Sequence, residues 1–560
     1  MVRKKIYILF FILIMIMPLC SRKMNKKAME IVDKLTIDEK IGQLLLVGVP
    51  GKALSDMSKT IMKKYLPGGI ILYGYNLSGG NEIRGFIGDL QDVSMEFSGI
   101  PLFVSIDQEG GRVKRITDEI TQFPGNMAFG IVDDESLIYN AARILGIQLR
   151  LLGFNMNLTP VLDVNNNPFN PVINTRSFGS STEVVSRMGV SYIKGLQESR
   201  CIAVGKHFPG HGDTDKDSHV TLPEISHQIG RLKAIEFPSF IESIDAGLES
   251  IMTAHIAFPN ILQNNLPATI SKKFLSDILR KDMRFDGLVI TDDMEMKAIS
   301  RLMDIGDSAV RSIEAGADVI LISTHGKSIE KIFKSIKNAL KIGVITEERI
   351  NISVRRIIEL KLRYRIMRIE DEKIRYVKIK YNKDEMEILS RADEINRIVS
   401  KNAIYFYKNQ EDFIHPSSEG VRFIFITSNN CMKGEVKRGF KDCMIYNNED
   451  KFFRSIRKNV EGKKALISDG KTLIVYYHVE GAKPQLIREL IKFTTKRGIK
   501  LFLISTGNPF PLVNIESLPS TYFSFSDTVK SIRQSVLCLK GEFKPRRKIN
   551  VNLGFKNEKE

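Results

Sequence analysis

A chain of 560 residues and 63.5 kDa exceeds one ordinary domain and predicts a large folded unit with a smaller companion. With 43% hydrophobic and 26% charged residues, 40 Gly and 19 Pro, it is neither disordered nor collagenous, and five scattered cysteines without a C-x-x-C pair exclude a disulfide scaffold and a zinc ribbon. The formal charge of +18 is lopsided: residues 1–360 carry 43 basic and 41 acidic side chains, residues 361–560 carry 40 and 24, so the C-terminal part suits an anionic polymer or lipid surface. Its basic residues are dispersed and no nucleic-acid motif accompanies them, so no nucleic-acid partner is expected.

Residues 1–20 begin with Arg3, Lys4 and Lys5, continue through an apolar run from Ile6 to Met17, and end in Pro18-Leu19-Cys20. This is the pattern of an export signal, too short for a membrane span. A cysteine directly behind the run resembles a bacterial lipoprotein site, which implies a membrane-anchored protein, periplasmic or at the cell surface, lipidated on Cys20. Leu19 stands where a small residue is usual, so plain secretion is the alternative.

Eight apolar runs follow, at 41–49, 69–73, 101–107, 154–164, 201–207, 250–256, 287–292 and 317–323. Between them lie amphipathic stretches such as 81–97, 181–199, 271–283 and 297–316, with apolar residues at spacings of three and four. Strand and helix alternating eight times predict an α/β fold, a (β/α)8 barrel of the TIM type over 25–366. Residues 367–390 are rich in Lys, Arg and Glu and read as a charged linker. Beyond it a helix over 386–402, strands at 404–407, 422–426, 472–478 and 501–505, and a helix over 484–497 predict a basic, sandwich-like α/β domain over 391–545, with a tail at 546–560.

A barrel of this kind places its chemistry at the C-terminal ends of its strands. The third run ends in Asp107-Gln108-Glu109, the fifth in Lys206-His207, the sixth in Ala254-His255 and the seventh in Thr291-Asp292-Asp293. A core strand has no structural reason to end in charge, since burial of an unpaired charge costs several kcal/mol. The densest polar segment, 206–219, combines three histidines with three aspartates. Asp213, Asp215, Asp217 and Glu224 have calcium-loop spacing, but Ser218 replaces the required Gly and no helix leads in. His207, His211 and His219 suggest zinc, but Phe-Pro-Gly between the first two removes helical i, i+4 ligand geometry. Glycoside hydrolysis fits better, since it needs an ionised carboxylate and a proton donor. Asp292 or Asp293 supplies the first. Asp217 lies two residues from His219, so that a carboxylate orients the imidazole and favours its charged form.

The segments Lys206-His-Phe-Pro-Gly-His-Gly-Asp-Thr-Asp-x-Asp-Ser-His219, Asp107-Gln-Glu-Gly-Gly-Arg-Val-x-Arg115, Thr175-Arg-Ser-Phe-Gly179 and Thr291-Asp292 together resemble family 3 glycoside hydrolases of the β-N-acetylglucosaminidase branch, over residues 30–365. The resemblance implies Asp292 as nucleophile, His219 with Asp217 as acid/base, and Asp107, Arg115, Arg176, Lys206 and His207 as sugar-binding residues. It implies no metal or cofactor and a carbohydrate partner, terminal β-linked N-acetylglucosamine from peptidoglycan fragments. A β-glucosidase or β-xylosidase of the same family, and a wall-binding lipoprotein without turnover, are the alternatives. The acidic run Asp293-Met294-Glu295, where the family often has small or apolar residues, leaves the potential around Asp292 open.

Overall fold

The structure is a computed structural model that describes residues 24–378, 382–407, 421–440, 443–447, 451, 472–479, 484–496, 499–513, 515, 518–546, 549, 551 and 553. The expected export segment with Cys20, and most of the expected tail, lie outside them.

Eight parallel strands form the first sheet: β1 Leu45–Gly48, β2 Gly69–Ile71, β3 Phe103–Ile106, β4 Met156–Asn157, β5 Ile202–Phe208, β6 Ser250–Thr253, β7 Leu288–Ile290 and β8 Ile320–Ile322. Neighbours in sequence are neighbours in space, β1 pairs with β8, and a parallel bridge between Ile290 and Val319 joins β7 to β8, so the sheet curls into a barrel. Each expected run contributes one strand. Two runs and one amphipathic stretch differ from expectation in extent, for local reasons. The run at 41–49 opens as a helix, Ile37–Gln43, because Thr36 and Glu39 form a capping box that satisfies its first N–H groups. The run at 154–164 keeps only two ladder residues. Pro160 has no N–H to give, and the side chains of Asn155 and Asn157 take over, bonding to the backbone of Leu102, Val104 and Gln108 at 2.8–3.0 Å. The amphipathic stretch at 297–316 splits into Lys297–Ser300 and Ile305–Ala315, where Asp304 caps the second helix by accepting the Gly306 N–H at 2.9 Å.

Of the residues expected as a linker, 367–378 and 382–390 are built into the structure. The hairpin β9 Met367–Glu370 and β10 Lys373–Tyr376 turns through Asp371 and Glu372, both at positive φ, and the helix Lys383–Ser390 docks on the barrel through a Glu385–Arg150 ion pair. The second sheet has six strands in the order β11-β16-β15-β14-β12-β13: β11 Tyr405–Tyr407, β12 Val421–Ile426, β13 Cys443–Tyr446, β14 Thr472–His478, β15 Lys500–Ser505 and β16 Thr521–Phe523. Its pairs are parallel except β11 with β16. The strands β13 and β16 and the helices Asn430–Gly439 and Val529–Leu539 extend the expected element set.

The second unit packs on the β3–β4 side of the barrel. Asn396 donates to the Gln122 carbonyl at 3.0 Å, and Arg546 donates to the carbonyls of Ile131 and Val132 at 3.0 and 3.2 Å. One apolar cluster runs from the barrel interior through this junction to Val551 and Leu553. The C-terminal stretch is therefore anchored at Arg546 rather than trailing from the domain.

Candidate active site

The C-terminal ends of the strands open into a cavity of about 380 Å³ whose wall includes Asp107, Arg115, Arg176, Lys206, His207, Asp217, His219 and Asp292. All eight barrel residues expected to act are thus brought together from four separate stretches of chain.

The floor is a paired charge array. Lys206, almost fully buried at the end of β5, donates to Asp107 at 2.9 Å and lies 2.8 Å from Glu109. Arg176 forks onto Glu109 with two bonds of 2.9 and 2.8 Å, a bidentate geometry that fixes both planes. Burial opposes ionisation of Glu109, and the Arg176 and Lys206 charges overcome it, holding the carboxyl well below the usual carboxylate range. Burial also opposes the Lys206 charge, and Asp107 and Glu109 overcome it. Glu109 was not among the expected site residues, although it stood in the same polar strand end as Asp107.

The loop after β3 presents Arg115. Gln108 holds it from inside, accepting the N–H groups of Arg115 and Ile116 at 2.7 and 3.0 Å. Gly111 turns at φ +53, where a Cβ would lie 2.6 Å from the Gly125 Cα, so the two chain segments touch without side chains between them. Arg115 then reaches Asp107 at 3.7 Å and lies over the Tyr73 ring at 5.9 Å.

His207 is held by a residue that sequence reasoning missed. Asp163, fully buried after β4, accepts the His207 Nδ1–H at 2.7 Å and the His211 backbone N–H at 2.7 Å. Burial opposes its charge, and the His207 and His211 interactions still leave its pKa low. The only sequence signal was a lone aspartate inside an apolar run.

Asp292 follows β7 and accepts the Asp293 N–H at 2.8 Å. Burial pushes its pKa up, but the imidazoles of His207 and His255, the Asp293 N–H and the Lys206 ammonium outweigh burial, so it stays below the ordinary aspartate value. A carboxylate held ionised in a largely buried floor is suited to nucleophilic attack. Asp293 is used differently. It accepts the N–H groups of Glu295 and Ser323, each at 3.1 Å, while Glu295 bonds to Thr324 and Ser328, so the acidic run ties the loop after β7 to the loop after β8. His255 bonds to Thr269 at 2.9 Å and to the Asp293 carbonyl at 3.0 Å, supporting the same loop.

At the rim, His219 gives its Nδ1–H to Asp217 at 2.8 Å, and the same carboxylate oxygen accepts the His219 backbone N–H at 2.8 Å. Burial acts against the Asp217 charge, and these bonds prevail, lowering its pKa. With Nδ1 occupied, Nε2 is the ring atom left for proton transfer. The His219 side chain is 63% exposed, so the dyad stands at the mouth of the cavity while Asp292 lies at its base.

The three histidines of this loop take separate partners, His207 on Asp163, His211 on Ser218 at 2.9 Å and His219 on Asp217. Asp213 meanwhile pairs with His227 at 2.8 Å. Among the described residues no group of three or more His, Cys, Asp or Glu side chains is gathered as a metal site requires.

Asp293 gives a stability test. Burial, with Asp292 beside it, moves its pKa from 3.8 up to about 6. A carboxyl that releases its proton more readily unfolded than folded destabilises the fold as pH rises from about 4 through about 6, by up to about 3 kcal/mol at neutral pH. Asp293→Asn is therefore expected to raise the melting temperature at pH 7.5 and not at pH 4, measured by calorimetry. An equal change at both pH values would contradict the assignment.

Residues 36–360 match the sequence profile described as the glycosyl hydrolase family 3 N terminal domain. The β-hexosaminidase A of Pseudoalteromonas piscicida is 34% identical over 323 residues, 54% of this chain and 54% of that protein. The β-hexosaminidase of Methylobacillus flagellatus is 29% identical over 299 residues, 52% of this chain and 84% of that protein. The aligned part thus spans about half the length of the first relative and most of the second. Among solved structures, a glycoside hydrolase family 3 β-N-acetylglucosaminidase from Paenibacillus sp. str. FPU-7 is 31% identical with a TM-score of 0.81, covering 93% of this chain and 99% of that one.

Proposed function

From the premise that this chain belongs to family 3 of the glycosyl hydrolases, we propose that it is a retaining exo-β-N-acetylglucosaminidase acting on terminal β-linked N-acetylglucosamine. The observation that carries this reading is the single cavity that has Asp292 at its base and the Asp217–His219 pair at its rim. In the first step the Asp292 carboxylate bonds to the anomeric carbon and the glycosidic C–O bond breaks, while the His219 Nε2 proton passes to the leaving oxygen. In the second, His219 takes a proton from water, which displaces Asp292 and releases the sugar. Asp217 orients His219 through Nδ1. Lys206, His207, Asp107, Arg115 and Arg176 offer charged donors and acceptors to the sugar hydroxyls, and Glu109 and Asp163 keep those groups in place. A volume of about 380 Å³ lies near the lower end of small-molecule pockets, about 300–1,000 Å³, which suits one terminal ring.

This chain's similarity to the two β-hexosaminidases and the β-N-acetylglucosaminidase favours an N-acetylated sugar over glucose or xylose. Aryl N-acetylglucosaminide is expected to turn over faster, as kcat/KM, than aryl glucoside or aryl xyloside. Faster glucoside turnover would move the substrate to the β-glucosidase reading. Peptidoglycan fragments are the proposed natural source, in keeping with the proposed export and lipid attachment at Cys20, which mass spectrometry of the mature N-terminus checks. The basic C-terminal unit is read as a surface for anionic wall polymer or lipid, and release from wall material by salt is its test.

A further inference from the structure

A second cavity, of about 580 Å³, lies at the opposite end of the barrel from the catalytic mouth, where strands begin. Its wall includes Gly153 and Asn155, which precede β4, and Arg200, which precedes β5. The hairpin β9–β10 closes its other side with Arg368 and Tyr376. Arg150, Arg365 and Lys378 complete a bowl with five cationic side chains and no carboxylate in its lining.

Acids answer two of these five cations directly. Glu385 pairs with Arg150, and Glu370 pairs with Arg368 at 3.1 Å. The side chains of Arg200 and Arg365 make no hydrogen bond or ion pair among the described residues. Arg150 is almost fully buried, and its Nε–H is buried without an acceptor. Burial, and then repulsion from Arg365 and Arg150, act against the Arg200 charge, and attraction to Glu385 offsets them only in part. Arg200 and Arg365 each follow the C-terminus of a helix, Thr182–Glu198 and Glu347–Arg363, whose dipole favours a cation. The helix ends account for two of the cations, not for their convergence with three others on one concavity, nor for the orphaned donor beneath them.

We infer that this bowl at the base of the barrel binds a phosphoryl-bearing ligand, with the guanidinium groups of Arg200 and Arg365 as its principal contacts. Guanidinium forks match phosphate oxygens in pairs, and a polyphosphate charge answers several uncompensated cations at once. Tyr364 and Tyr376 also line the wall. The site is separate from the sugar cavity and shares none of its lining residues.

Calorimetric titration of the full chain with inorganic pyrophosphate tests the inference, alongside sedimentation with phosphatidylglycerol vesicles. The expected result is that the wild-type protein binds at least one probe and that an Arg200→Ala/Arg365→Ala double variant binds it at least tenfold more weakly. Both arginines are exposed at the rim, and the variant is expected to keep the wild-type kcat/KM for aryl N-acetylglucosaminide, which reports its folding independently. Lys replacements at the same two positions keep the charge but lose the fork, and are expected to fall between. Arginine-dependent binding of pyrophosphate alone assigns a soluble phosphate, and arginine-dependent binding of vesicles assigns a lipid headgroup. Binding of neither probe, or equal binding by the double variant, overturns the site.

Discussion

Asp292→Asn is expected to reduce kcat by about four orders of magnitude or more, the scale on which enzymes lose activity with their nucleophile. The replacement keeps the volume and the acceptor for the Asp293 N–H while removing the negative charge, so the fold should hold. The neighbouring substitution sharpens the result. Asp293→Asn should keep most of the activity, because Asp293 bonds to the backbone of Glu295 and Ser323 rather than acting at the base of the cavity. A fluorinated amino sugar with a good leaving group should trap the covalent intermediate, and mapping of the labelled peptide should place the sugar on Asp292. A label on Asp293, or full activity in Asp292→Asn, would reassign the nucleophile. No turnover of any of these substrates by the wild-type protein would favour the wall-binding reading.

The second large effect depends on the leaving group. His219→Ala is expected to lower kcat/KM by about 10²- to 10⁴-fold for substrates whose departing alcohol needs a proton. Substrates with strongly acidic aryl leaving groups, which depart without one, should lose far less. The kcat/KM ratio is the proper readout, since it covers the steps up to the covalent intermediate and leaves out the base-assisted second half. Asp217→Asn should fall in the same sense by a smaller factor, because His219 keeps a neighbouring acceptor without its charge. Uniform loss across leaving groups would remove His219 from the role of acid.

Much of this architecture could be read from sequence because burial and periodicity are local properties. A barrel strand is apolar on both faces, so its run stands out, and a charged residue at its end stands out more. Asp107, Lys206 and Asp292 were visible on that ground. Asp163 was not. It is one polar residue within an apolar run, and its partner His207 lies 44 positions away, a distance that no window of sequence spans. The choice between Asp292 and Asp293 was likewise beyond composition, and rested on the family resemblance. In the folded chain the two separate through their partners, one beside His207 and Lys206, the other tied to the loop after β8.

The stretch at 367–390 was misread for a different reason. Dense charge usually marks solvated chain, and here it hides a hairpin whose turn uses Asp371 and Glu372 in place of the Asn-Gly pair that would have announced it. Strands β13 and β16, of four and three residues, are too short to show a period of their own in the sequence.

The cavity floor is interlocked: Lys206 is shared by Asp107 and Glu109, Glu109 by Lys206 and Arg176, and Asp163 by two histidines. Deleting any one partner strands a buried charge, at about 3–5 kcal/mol, so these positions resist single-step drift whether or not a sugar is ever cleaved. The solvent-facing imidazole carries no such burden. In a descendant that had given up catalysis, the inner residues would persist as structural fossils while His219 was free to vary, which makes the outer pair, not the inner array, the better marker of living chemistry.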